Sequence, residues 1–211
     1  MEPMKKYYET LANTIIKNLE RRRIEACYCS TKEEALAAAM DLVADGSCVS
    51  FGGSMTIAEI GLLDALRAKE GIRLLDRYSV PPEELPQLMR ESFFADTYFM
   101  STNAITFDGE LVNIDGSGNR VAAMIYGPSS VVNIAGMNKV SPDLPSAMAR
   151  AKETAAAPNA IRLNRNTPCA ETGHCGNCLG DDSICSHTVV TRRSAIPGRI
   201  KVILVGESLG Y

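Results

Sequence analysis

The sequence has no tryptophan, only two histidines and few aromatic residues, which make up 6% of its 211 residues. It also lacks an excess of basic charge, because the formal net charge is −3 at pH 7. Nucleic acids and anionic membranes attract proteins that carry clustered lysine and arginine, so this balance predicts neither as a partner. The one basic run, residues 21–23, falls at the end of a predicted helix, where cations favour the negative end of the helix dipole.

A long uninterrupted hydrophobic run is also missing. The longest stretch without charge, residues 121–138, contains Gly127, Pro128 and Gly136, which suits a buried turn and strand better than a membrane span. The first residues lead into a polar helical pattern with no apolar signal segment. We therefore expect a cytoplasmic protein with reduced cysteines. The apolar fraction of 45% is enough for a sizeable core, and the length predicts a single domain over residues 1–211.

Short apolar strands alternate with helical patterns along most of the chain. This order predicts an α/β fold with a mostly parallel sheet flanked by helices. Asp108-Gly109 between two further strands predicts a tight hairpin. Ser30 with Glu33, and Thr56 with Glu59, predict capping boxes. Predicted helices cover residues 4–23, 32–44, 57–69, 83–94, 119–126 and 144–156, and predicted strands cover residues 24–29, 48–51, 72–75, 97–101, 131–135, 188–192 and 200–205.

Four of the seven cysteines lie close together after the last predicted helix. Their spacing is C-x5-C-x2-C-x6-C, and they are Cys169, Cys175, Cys178 and Cys185. Thiolates bind zinc and iron strongly, and a C-x2-C pair lets one turn present two sulfurs to one ion. Four unrelated thiols or two disulfides are the alternative, but disulfides are uncommon in the cytoplasm. Residues 164–186 are therefore predicted to form a metal-binding lobe.

The identity of the metal is less constrained than its ligands. A [4Fe–4S] cluster is favoured, because the cysteines are too closely spaced for two ordinary zinc knuckles. Zinc remains the alternative, since a compact four-cysteine lobe can also fold around it. His174 and His187 flank the ligands and are interpreted as surface residues or as partners of the ligands.

The other three cysteines, Cys27, Cys29 and Cys48, fall on predicted strands. Cys27 and Cys29 would share one face of their strand. Reduced cysteine behaves as a small apolar side chain, so all three are predicted to be buried core thiols.

A glycine loop follows the second predicted strand and opens a helix. Its residues Gly52, Gly53, Ser54 and Thr56 could offer backbone amides to a phosphate or carboxylate, although a purely structural turn explains the loop equally well. Ligands of open α/β sheets bind beyond the carboxyl ends of the strands. Polar residues predicted at such ends are Asn103, Asn138, Lys139 and Glu207.

Lys139 is the leading candidate for anion binding or proton transfer, because a partly desolvated lysine shifts its pKa readily. Glu207 is the second candidate for a catalytic role. Asn138 and Lys139 join the glycine loop in the predicted binding site for a small anionic ligand.

Several segments resemble the lactate-utilisation (LUD) domain family, formerly called DUF162. They are residues 52–56, 108–120, 127–128, 136–139 and 205–211. The resemblance implies a fold like that of ribose-phosphate isomerases and CoA transferases. It also implies a role in the oxidation of lactate to pyruvate together with iron–sulfur partner subunits. The four-cysteine loop resembles a subgroup of this family, and a homo-oligomer is a further expectation.

Two functional hypotheses follow. The first is a redox component of hydroxy-acid oxidation, with the anion bound near Lys139 and a cluster in the cysteine loop. The second is a non-redox sugar-phosphate or CoA-ester enzyme, or a binding subunit, with a structural zinc. The second needs a carboxylate at the ligand site, for which Glu110, Asp115 and Glu207 are candidates.

Overall fold

The computed structural model of the protein describes residues 2–211. Its helices are α1 (Glu2–Arg21), α2 (Lys32–Met40), α3 (Met55–Glu59), α4 (Leu62–Ala68), α5 (Leu85–Glu91), α6 (Asn119–Tyr126), α7 (Leu144–Arg150), α8 (Ala157–Arg162) and α9 (Pro168–Thr172). Its strands are β1 (Glu25–Cys29), β2 (Cys48–Phe51), β3 (Arg73–Leu75), β4 (Thr97–Met100), β5 (Ala104–Thr106), β6 (Leu111–Asp115), β7 (Ser130–Gly136), β8 (Val140–Ser141), β9 (His187–Thr191) and β10 (Ile200–Val205).

The main sheet has six strands in the order β1-β10-β7-β4-β2-β3, and every neighbouring pair is parallel. Its strands are short and almost wholly apolar, as expected for strands buried on both faces. One core lies on the side of α1 and α6, and the other on the side of α2, α3 and α4. The predicted α/β class with a mostly parallel, helix-flanked sheet is confirmed.

A second sheet of four strands, in the order β8-β5-β6-β9, extends from the main one. The predicted hairpin at Asp108-Gly109 is confirmed, since β5 and β6 pair antiparallel on either side of it. Gly109 has φ +89°, a conformation that favours glycine. β9 adds to β6 with His187 opposite Asp115, which brings the end of the cysteine loop to the end of β6.

The helix predicted over residues 57–69 is interrupted. Gly61 adopts φ +78° and separates α3 from α4. The capping box predicted for Thr56 and Glu59 is wrong. Ser54 occupies the N-cap position of α3 without a side-chain bond, and Thr56 is the second residue of the helix and is buried.

The other predicted capping box is displaced by one residue. Thr31, not Ser30, caps α2 by accepting a hydrogen bond from the Glu34 amide at 3.3 Å. The Glu34 carboxylate in turn accepts from the Ser30 amide at 2.7 Å. The motif therefore forms as predicted in kind, but with the pair Thr31 and Glu34.

The last predicted helix, over residues 144–156, continues beyond Pro158. α7 ends at Arg150, a π-helical segment covers Ala151–Ala156, and α8 follows directly. Pro158 is the second residue of α8, and because proline has no backbone N–H the helical hydrogen-bond pattern is interrupted there, directly after the π-helical segment. Single π-helical turns often occur at functional sites. No helix within residues 2–211 is long and apolar enough to cross a membrane.

Candidate functional site

The carboxyl ends of the parallel strands meet at one edge of the main sheet. The glycine loop follows β2, Ser101 follows β4, and Asn138 and Lys139 follow β7 in a short 3₁₀ turn. β10 ends beside β7, so the residues after it return to the same edge. The sheet thus brings together most of the predicted binding residues.

Lys139 lies at the centre of this edge and is only 4% exposed. Its Nζ donates hydrogen bonds to the Thr56 hydroxyl at 2.9 Å and to the Ser101 hydroxyl at 3.0 Å. Burial, followed by the positive charges of Arg150 and Arg120, lowers the pKa of Lys139 to about 7. Within residues 2–211, no carboxylate forms an ion pair with this ammonium group.

The segment of residues 209–211 covers Lys139 from one side. Asn138 fixes it, since its Oδ1 accepts from the Leu209 amide at 3.1 Å and its Nδ2 donates to the Gly210 carbonyl at 3.2 Å. The Thr56 hydroxyl donates to the Leu209 carbonyl at 3.2 Å, and the Glu59 carboxylate accepts from the Gly210 amide at 2.7 Å. A ligand that reaches Lys139 must displace or rearrange this segment.

The glycine loop packs closely against the same cluster. A Cβ atom at Gly52 would lie 3.2 Å from the Tyr98 hydroxyl and 3.3 Å from Cδ of Arg120. The Gly52 amide donates to the Phe99 carbonyl at 2.9 Å, so it is not free to bind a ligand. Burial raises the pKa of Tyr98 to about 12, which keeps this phenol neutral.

The outer half of the glycine loop faces another cation. A Cβ atom at Gly53 would lie 3.1 Å from Nη1 of Arg77. Ser54 is half-buried, and its side chain does not cap α3. Gly53 and Ser54 donate no backbone hydrogen bond to any acceptor within residues 2–211, so these two amides are the part of the loop that remains open to a ligand.

Two partly buried arginines lie near Lys139, and sequence reasoning did not select them. Arg120 donates to the Ser101 carbonyl at 2.8 Å and to Asn103 Oδ1 at 3.1 Å, and its Nε lies 3.4 Å from the Asp115 carboxylate. Arg150 donates to the carbonyls of Asn138, at 2.9 Å, and Asn103. Burial lowers the pKa of both guanidinium groups. The sequence offered one signal for Arg120, which is that it lies in residues 108–120, a segment that resembles the LUD domain family. Arg150 lies in an ordinary helical pattern that gives no such signal.

The predicted carboxylates lie in three different places. Glu207 accepts from the Lys32 amide at 3.0 Å, so its carboxylate binds the first turn of α2. Glu110 lies 3.8 Å from Arg22, on the hairpin side of the second sheet. Only Asp115, held by Arg120, belongs to the network around Lys139. Glu59 is the carboxylate that sequence reasoning missed at this edge, because it was interpreted as a capping residue.

The cysteine loop is bound to the π-helical segment that follows Arg150. Cys169 lies in α9, and the Cys175 amide donates to Glu153 in the π-helical segment at 2.9 Å. Burial, then the charges of Cys175, Cys169 and Cys178, raises the pKa of Cys185 to about 11, so the four thiols are electrostatic neighbours. In this structure, however, no three histidine, cysteine, aspartate or glutamate side chains within residues 2–211 are close enough to hold one metal ion. The four-cysteine metal site stays a prediction.

Both histidines are exposed; His174 lies within the cysteine loop and His187 directly follows it. His174 Nδ1 lies 3.0 Å from the Glu153 carboxylate. His187 opens β9, and a Cβ atom at Gly118 would lie 3.1 Å from its ring. Glu153 therefore holds the loop through both a side chain and a backbone amide, three residues after Arg150.

The prediction that Cys27, Cys29 and Cys48 are all buried is wrong for Cys27. β1 is an edge strand, and Cys27 is exposed while Cys29 is buried and Cys48 is partly buried. A hydrogen bond from Cys29 lowers the pKa of Cys27 to about 7, and the same contact raises the pKa of Cys29. All seven cysteines are free.

In proteins with an open parallel α/β sheet, ligands bind beyond the carboxyl ends of the strands, and this is the edge at which the polar groups described above lie. Residues 12–205 match the LUD domain family, so the chain belongs to this family and is a lactate-utilisation-type protein. This confirms the resemblance found in the sequence. No curated protein matches the sequence.

One solved structure of the same family agrees with this assignment at the level of the fold. A DUF162 family protein from Deinococcus radiodurans aligns with 94% of this chain and 98% of its own, with a TM-score of 0.55 and 10% identity. Ribose 5-phosphate isomerase A from Neisseria gonorrhoeae aligns over 54% of each chain, with a TM-score of 0.36 and 16% identity. At these identities the first match describes a shared fold and nothing finer.

Proposed function

We propose that this protein is a component of hydroxy-acid oxidation, of the lactate-to-pyruvate type, which binds a small carboxylate at Lys139 and carries a redox centre in its cysteine loop. The observation that carries the proposal is the buried ammonium of Lys139, which has two hydroxyl partners and no ion pair within residues 2–211. A buried charge without a counter-ion is costly, so a protein retains one where an anion binds.

The surrounding groups suit a 2-hydroxy acid. Arg120 and Arg150 supply a positive field that attracts a carboxylate, while the hydroxyl groups of Thr56 and Ser101 can orient a polar ligand beside Lys139. With its pKa lowered to about 7, Lys139 is neutral in part of the population at neutral pH and can accept a proton from the ligand hydroxyl. Oxidation to the 2-oxo acid also breaks the C–H bond at C2, so a second proton and two electrons leave the ligand. The electrons need an acceptor outside the anion site, a redox partner reached in two one-electron steps.

The donor set of the cysteine loop fits a [4Fe–4S] cluster, since four thiolates are the usual ligands of such a cluster. When bound, the cluster would supply one-electron transfer between the anion site and a redox partner. Cys169, Cys175, Cys178 and Cys185 would hold it. Glu153 supports the loop beside the anion site and could keep the two centres close together.

The alternative is a non-redox enzyme or binding subunit with a structural zinc in the same loop. Asp115 favours it, because a carboxylate beside a buried arginine is available for acid–base chemistry on a sugar phosphate or CoA ester. Under this alternative the anion site would bind a phosphate and the loop would take no part in electron transfer.

Metal analysis of protein purified without oxygen separates the two. We expect iron and sulfide in equal amounts with a broad visible absorbance band, and loss of at least 90% of both in Cys178→Ser, because each cluster thiolate is required. The matched control is Cys48→Ser, a partly buried cysteine outside the loop. One tightly bound zinc without iron would support the alternative, and a metal-free native protein would exclude a redox centre in this chain.

A further inference from the structure

A basic cleft lies on the opposite side of the second sheet from the cysteine loop. Its volume is about 450 Å³, and we name it the arginine cleft after its lining residues Asn18, Arg21, Arg22, Asp108, Arg192 and Arg193. It contains none of the residues around Lys139. The end of α1, the hairpin turn and the residues after β9 build it, and two of these three segments, the end of α1 and the residues after β9, supply its cations.

Arg22 holds these three segments together. Its Nε donates to the Asp108 carbonyl and its Nη1 to the Arg192 carbonyl, both at 2.6 Å. The Ser194 amide donates back to the Arg22 carbonyl at 2.9 Å. Asn18 fixes the hairpin as well, through a 2.9 Å hydrogen bond to the Phe107 carbonyl. The cleft is therefore set in place by hydrogen bonds that use Arg22 as a structural residue.

The remaining arginines are not used by the fold. Arg21, Arg192 and Arg193 are exposed, and within residues 2–211 their guanidinium groups form no hydrogen bond or ion pair. Asp108 is the single carboxylate among the lining residues, which leaves the cleft with a formal charge of +3 from four arginines and one aspartate. Three guanidinium groups around one recess match an anion with several charged oxygens, because each group can donate two parallel hydrogen bonds.

We propose that the arginine cleft binds a small molecule carrying two or more phosphate or carboxylate groups. A volume of about 450 Å³ is that of a small-ligand pocket. No aromatic or aliphatic side chain lines it, so the anionic groups of the ligand supply the recognition. The overall charge of −3 argues against an extended nucleic-acid track.

The position of the cleft suggests what its ligand would influence. β9 begins at His187, beside the cysteine loop, and its last residue, Thr191, directly precedes Arg192. The cysteine loop therefore precedes β9 and the arginine cleft follows it. An anion that fixes Arg192 and Arg193 would hold the far end of the strand that begins at the cysteine loop. The cleft is a second binding site, separate from the anion site at Lys139.

Isothermal titration of the full chain at fixed ionic strength tests the proposal, with inorganic pyrophosphate and citrate as probes. We expect saturable binding of at least one probe. It should weaken by about tenfold or more in R192Q/R193Q and tighten severalfold in D108N, because removal of a charge-assisted contact costs more than 1 kcal/mol. Opposite signs in the two variants separate loss of the site from loss of folding. The control R162Q, whose guanidinium bonds only Asn159 on its own helix, should bind like the unchanged protein.

The two probes also distinguish which anionic groups the natural ligand carries. Tighter binding of pyrophosphate would indicate a phosphorylated ligand, and tighter binding of citrate a polycarboxylate. The proposal is overturned if neither anion saturates, if R162Q weakens binding as much as R192Q/R193Q, or if Lys139→Met alone abolishes it. Binding of a polyglutamate peptide without binding of either small anion would likewise overturn it in favour of a protein-docking surface.

Discussion

Replacement of Lys139 with methionine should weaken pyruvate binding by about 100-fold and should also stabilise the protein at acidic pH. Pyruvate would lose the ammonium group that faces it, a charge-assisted hydrogen bond worth roughly 2–3 kcal/mol. The fold would lose a buried charge that has no ion-pair partner within residues 2–211. Titration calorimetry measures the first effect, and urea unfolding measures the second.

The stability effect has a defined dependence on pH. Below about pH 7 Lys139 is protonated in the native state, so the full cost of the buried charge is present. Between pH 7 and the ordinary lysine pKa of about 10.4, the unfolded chain keeps a proton that the native chain has lost, and wild-type stability rises with pH. A difference of about 3.4 pKa units corresponds to roughly 4–5 kcal/mol, so we expect the stability of the variant relative to the wild type to be higher by about that amount at pH 6 than near pH 10.

The affinity of the wild type for pyruvate should also depend on the protonation of Lys139, but it should fall with rising pH where the stability rises. It should be constant below pH 7 and fall by up to about tenfold per pH unit above it, as Lys139 loses its proton. Lys17→Met is the matched control, since Lys17 is exposed on α1. Unchanged affinity and an unchanged stability profile in Lys139→Met would remove Lys139 from the ligand site.

Replacement of Gly136 with alanine should destabilise the protein by about 2–4 kcal/mol and lower its melting temperature by about 5–10 °C. Gly136 ends β7 where the chain passes directly beneath the residues after β10. An added Cβ atom would lie 2.6 Å from the Glu207 carbonyl oxygen and 2.7 Å from the Leu209 nitrogen. These are backbone atoms, so the clash cannot be relieved by a rotamer change.

Gly180→Ala provides the control for this effect, because a Cβ atom at Gly180 meets nothing within 4 Å. We expect its melting temperature to stay within about 1 °C of the wild type. Gly136→Ala should also loosen residues 209–211 over Lys139, which hydrogen exchange at the Leu209 and Gly210 amides can detect. Equal melting temperatures for the two variants would show that the edge of the sheet adjusts more easily than its close contacts indicate.

The main sheet was predictable because its signal is local. Each strand is a short apolar run closed by a turn residue, and the Asp-Gly pair at residues 108–109 specifies its hairpin within a few residues. The break in the helix predicted over residues 57–69 was harder to predict, since many helices tolerate a glycine. Here Gly61 ends one helix and begins the next because it adopts a left-handed conformation. The π-helical segment at Ala151–Ala156 has no comparable local pattern.

The candidate site was predictable only in part, because its contacts are distant in sequence. Lys139 and Asn138 stood out as polar residues after an apolar strand. Thr56 was interpreted as a helix cap because a threonine before an apolar run has that meaning locally, whereas its actual partner is Lys139, 83 residues away. Ser101 and Arg150 are ordinary residues in their own segments, and the sheet order alone brings them together. Cys27 was predicted to be buried because its strand had no sign of being an edge.

The place of β10 in the main sheet has a consequence for how the chain folds. β1 pairs only with β10, and Glu25 lies opposite Lys201, so the first strand has no neighbour until nearly the whole chain has been made. Contacts of such long range slow folding, because the entropy of closing the loop is lost before the contacts form. During synthesis the edge of β7 would stay open, and we expect chains that stop before β10 to be captured by chaperones or to aggregate.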